Sequence, residues 1–108
     1  MKLYVVSDGD RQTWLAARSG EDMYTYVPNT GSFHRNEGVG ADFFLEGRST
    51  YQPVGVPEAR RLIAQRLGDL DAEDLADLLA EFRSEPSSLP VDAVLSAAVL
   101  DNEPDEPS

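Results

Sequence analysis

The sequence reads as an α+β domain. It predicts an N-terminal antiparallel β-sheet of four or five strands, starting as a meander, followed by two or three amphipathic helices packed on one face. Three observations carry this. Up to Val54 the chain alternates strand-favouring runs with tight-turn signals. From Pro57 the apolar spacing changes to threes and fours. The last stretch, Asp101–Ser108, holds four acids, two prolines and no apolar residue, the composition of a disordered acidic tail. A length of 108 residues fits one domain, here 1–100, with 101–108 as the tail.

Leu3, Tyr4, Val5 and Val6 form a first strand with apolar residues on both faces, which suits a central place in the sheet. Asp8-Gly9 signals a hairpin, and the return strand runs over Gln12–Ala17 with Trp14 as its large anchor under the helices. Arg18–Asp22 makes a second turn, and Met23–Val27 is a third strand. Pro28 to Ala41 then reads as one long loop, with glycines at 31, 38 and 40. Asp42–Glu46 is a short strand or a single helical turn, closed by Gly47. Ser49–Val54 is a strand ended by Pro53, Gly55 and Pro57, prolines that suit an edge position or a strand end.

Pro57 opens the first helix, Ala59, Leu62, Ile63 and Leu67 lie on one side, and Gly68 stops it. Asp71 is the expected N-cap of a second helix with Leu75, Leu78, Leu79 and Phe82 on its apolar stripe. Ser84–Leu89 interrupts as a linker. Pro90 starts a third segment with Val91, Val94, Leu95, Ala98 and Val99 on one face. The spacing leaves open whether this last helix packs on the domain or is held out for a partner.

The chain has no cysteine, so disulfides, thiolate chemistry and Cys-built zinc sites are excluded. With one histidine, a metal would need mainly carboxylate ligands, and no spacing completes such a site. No metal or cofactor is expected. No apolar stretch has the length of a membrane span, and the N-terminal apolar run is too short for a signal peptide. The expectation is a soluble, cytoplasmic protein. Eight arginines against one lysine suit a GC-rich bacterial source.

Net charge is −11 and unevenly spread: residues 1–56 hold seven acids and five bases, residues 57–108 thirteen acids and four bases. Such a C-terminal half repels phosphate, so nucleic acid is not expected as a partner. It suits a basic protein.

Two stretches carry candidate sites. Met23–Glu37 gathers Tyr24, Tyr26, Phe33, His34, Arg35 and Asn36, a mixture of aromatic, cationic and amide groups typical of protein-binding hot spots. Glu73, Asp77 and Glu81 recur at four-residue spacing with Asp74 and Glu85 nearby, as an acidic docking face or as a solvated helix side. The function expected from both is a small non-catalytic interaction protein, antitoxin- or inhibitor-like in style, that binds a basic protein. The alternative is a small metal-free enzyme, a nuclease or transferase, using His34 as acid/base with Arg35 and Tyr26. A third reading is a homo-oligomer joined through the last helix or an open strand edge.

Overall fold

The computed structural model describes residues 1–69, 73–84 and 88–101, with backbone alone for 100 and 101. The sheet has six antiparallel strands: β1 Lys2–Asp8, β2 Arg11–Ser19, β3 Asp22–Val27, β4 Ser32–Arg35, β5 Thr50–Val54 and β6 Leu89–Pro90. Their spatial order is β5-β1-β2-β3-β4-β6. The α+β class and the meander start are as expected, the strands number six where four or five were expected, helices cover both faces where one was expected, and β1 is internal, flanked by β2 and β5. Pro53 lies on β5, at an edge of the sheet, where a missing N–H costs no ladder bond.

Two-residue turns at Gly9-Asp10 and Gly20-Glu21 join the first three strands. The long loop expected over 28–41 is instead a four-residue turn, a strand and a helix. Gly31, at φ 73°, reverses the chain, and both Thr30 N–H and Gly31 N–H donate to the Val27 carbonyl at 3.0 and 2.9 Å. Ser32–Arg35 then pairs with β3, and its outer side is met by Leu89 and Pro90. Helix α1, Glu37–Ala41, follows at once, and runs into a π-helical turn at Asp42–Glu46 that ends at left-handed Gly47. Of the two forms expected for Asp42–Glu46, the helical turn is the one adopted.

Strand alternation divides the apolar residues between two faces. Leu3, Val5, Leu15, Ala17, Tyr26 and Phe33 face one layer, formed by α2 (Val56–Ala64) and α4 (Val91–Asp101). Ala59 and Leu62 come from α2, and Val94, Leu95 and Ala98 from α4, all buried. The last helix therefore belongs to the core; the Met1 amino group also donates to Ala97 O at 3.1 Å. Tyr4, Val6, Ala16 and Met23 face the opposite side, where Val39 of α1 covers them. Trp14, expected under the helices, packs at the margin of this second cluster instead.

Gly68 ends the segment after α2 at φ 95°. A Cβ there would stand 2.9 Å from the Tyr26 carbonyl oxygen and 3.0 Å from Trp14 Cε3, so both backbone and space require glycine. Of the stripe expected on the second helix, Leu78, Leu79 and Phe82 lie on α3, Ala76–Ser84, and Leu75 just before it. Leu79 is buried, whereas Leu78 is 37% exposed. The expected cap Asp71, Glu85 and the tail over 102–108 lie outside the described residues.

Candidate functional site

The histidine sits inside the fold. His34 is 1% exposed, so the expectation of an accessible loop side chain is corrected. It pairs across the sheet with Thr25, which puts its ring on the second face. Phe82 of α3 stacks on it with centroids 4.5 Å apart. Thr30 Oγ1 and His34 Nε2 lie 2.6 Å apart. Thr30 Oγ1 also lies 3.2 Å from Val27 O, so imidazole, hydroxyl and turn carbonyl form one hydrogen-bonded chain whose direction follows the His34 tautomer. The imidazole thus clamps α3 onto β4 and braces the Val27–Gly31 turn.

The neighbouring residues do not join it. Phe33 and Tyr26 pair across β3 and β4 on the other face, with rings 5.5 Å apart, and both are buried. Tyr24 is half-buried against the same cluster. Arg35 is exposed and pairs with Asp22 at 3.3 Å. His34, Arg35 and Tyr26 therefore form no common site: the two-residue period of β4 sends His34 one way and Arg35 the other, and Tyr26 lies with the Arg35 face. Asn36 is a joint. Its N–H donates to Met23 O at 2.9 Å, its Nδ2 to Thr25 Oγ1 at 3.2 Å, and its Oδ1 accepts from Val39 N at 3.0 Å as the N-cap of α1.

Glu73, Asp77 and Glu81 are all exposed. Asp77 and Glu81 lie across α3 from Leu79 and Phe82, which anchor the helix, and Glu73 lies in the turn before it. The carboxylates are thereby held outward on an element fixed by its apolar side.

A second exposed feature has no counterpart in the sequence reading. The π-helical turn directs Phe43 inward, against Tyr4 and Tyr51 at 5.4 and 4.9 Å between centroids. It leaves Phe44 at 42% and Leu45 at 84% exposure. The Arg18 guanidinium lies 5.3 Å over the Phe44 ring, and its Nε donates to Gly20 O at 2.9 Å. A cleft of about 390 Å³ opens between this apolar wall and the Arg35–Asp22 pair, with Glu21 and Glu37 also at its edge. The signal available in the sequence was Phe43-Phe44-Leu45, an apolar run fitting neither a strand nor a helix period.

Asp42 fixes this turn. Its carboxylate accepts from Tyr51 Oη at 2.8 Å, Arg48 N at 2.8 Å and Ser49 N at 3.1 Å. The Tyr51 hydrogen bond, with the two backbone donors, holds the carboxyl below its ordinary range despite opposing desolvation. Burial first, and then Asp42, push the Tyr51 phenol above its usual value. A depressed carboxyl stabilises the fold above its unfolded pKa, and that contribution is lost as pH falls through the folded one. The stability difference between wild type and Asp42→Asn should hold steady from neutrality to about pH 4 and shrink below it. Chemical denaturation across a pH series checks this.

Among the described residues, no three His, Asp or Glu side chains gather as a metal site, and no helix is long and apolar enough to cross a membrane. No protein-family model matches the chain, and no curated protein or solved structure is significantly similar to it.

Proposed function

We propose that this is a non-catalytic interaction protein, inhibitor- or antitoxin-like in style, that binds a basic protein through the acidic side of α3. One observation carries the reading: Asp77 and Glu81 stand one turn apart and exposed on a helix whose opposite side is anchored by Leu79 and by the Phe82–His34 stack. A fixed helix loses little freedom on binding, so its charges act at low entropic cost. The net charge of −11 adds long-range attraction for a cationic surface and speeds encounter. Leu78, 37% exposed on the flank between Glu81 and Phe82, adds an apolar contact. The proposal includes a cytoplasmic setting and a bacterial source. It leaves Tyr26, Phe33 and His34 to the fold, and keeps Arg35, Tyr24 and Asn36 outside the primary contact.

Affinity capture from the native host, with proteins and nucleic acids both identified, tests this. A stoichiometric basic protein should be retained. Asp77→Lys with Glu81→Lys should weaken it at least about tenfold while leaving the thermal midpoint nearly unchanged. Retention of nucleic acid in place of protein, or a partner indifferent to both reversals, would overturn the reading.

A further inference from the structure

We propose that the cleft beside Phe44 and Leu45 is a second contact surface, which takes an apolar side chain flanked by Lys or Arg. This rests on the reading above and names the chemistry of the segment that the basic partner would supply.

The exposed pair is unusual for its cost. Leu45 at 84% and Phe44 at 42% exposure are adjacent, and Leu45 projects from a π-helical turn. The carboxylate of Asp42 takes three donors, from Arg48 N, Ser49 N and Tyr51 Oη, which ties the turn that carries them to the start of β5. Arg18 fixes the Phe44 ring from β2. A surface that is both apolar and rigid gives up little freedom when covered.

Charge selects the occupant. The cleft edge carries Glu21, Asp22 and Glu37 against Arg35, which Asp22 engages at 3.3 Å, while Arg18 lies over the Phe44 ring with its Nε donating to Gly20 O, so the acids exceed the cations by one. The remaining field favours Lys or Arg next to the inserted side chain. The volume, about 390 Å³, suits one or two side chains rather than a folded element. Met23, 2% exposed, and Ala41 add apolar lining beside Gly40.

The test is a nitrogen–proton NMR titration of the full chain with a short capped peptide carrying Arg-Leu-Lys at its centre. A control peptide has Gly in place of Leu. The Arg-Leu-Lys peptide should shift the amides of Glu21, Arg35, Phe44 and Leu45 with saturation. The control peptide, and the Leu45→Ser variant, should each bind this cleft about tenfold more weakly. Leu45 is exposed, so the variant should keep the wild-type spectrum elsewhere. Shifts confined to the α3 amides would overturn the second surface and leave the α3 reading intact. Equal binding of the control peptide would also overturn it. Concentration-dependent shifts at Phe44 and Leu45 without peptide, with a doubled mass by light scattering, would assign the patch to a second copy of this chain and overturn the proposal.

Discussion

Phe33→Ala should destabilise the protein by about 3–5 kcal/mol, the usual cost of deleting a fully buried aromatic side chain. Phe33 is 0% exposed on the short strand β4. It touches both the Tyr26 ring across β3 and, through its pairing with Leu89, the two-residue strand that leads into α4. Its loss would open a cavity where two cross-strand contacts meet, at a place with little backbone pairing to absorb the change. Urea unfolding measures the effect. A loss under about 1 kcal/mol would mean that β4 is not held as described.

Leu95→Asp should abolish the folded state. Leu95 is 2% exposed, between Val94 and Ala98 on the buried side of α4. An unpaired carboxylate there costs several kcal/mol beyond the lost apolar contact, which exceeds what a domain of this size has to spare. Circular dichroism and one-dimensional NMR read the outcome. The comparison with Val99→Asp is informative, because Val99 on the same helix is 54% exposed and should tolerate the change. Were α4 held away from the sheet, the two variants would behave alike.

Most of the sheet was legible in the residues. Asp8-Gly9 and Gly20-Glu21 mark reversals, and Pro53 marks an edge. Ala59 and Leu62, and Val94, Leu95 and Ala98, are buried as their spacing requires, whereas Val99, expected on the same face, is turned outward. The errors cluster where tertiary pairing overrides local signals. Ser32–Arg35 is only four residues long, and nothing local shows that Leu89 and Pro90 will complete its far side. Helix α1 has two glycines in five residues, too weak to form alone; Asn36 supports it by capping and by bonding to Thr25. His34 is the sole histidine, and its place is set by the pairing with Thr25 and by Phe82, distant in sequence. The sequence period can put Phe33 and His34 on opposite faces only once β4 is known to be a strand. The acidic positions Glu73, Asp77 and Glu81 are exposed, as either reading of that helix side requires. The run Phe43-Phe44-Leu45 stood out, but which of its side chains face outward did not, because a π-helical turn follows neither regular period.

Hydrogen exchange on the captured complex tests the acidic-helix reading most directly. Amides of Ala76–Ser84 should exchange at least several-fold more slowly in the complex than in the free protein, and the protection should fade as salt is raised. Unchanged exchange across α3, with protection confined to the β5 edge or to α4, would contradict it.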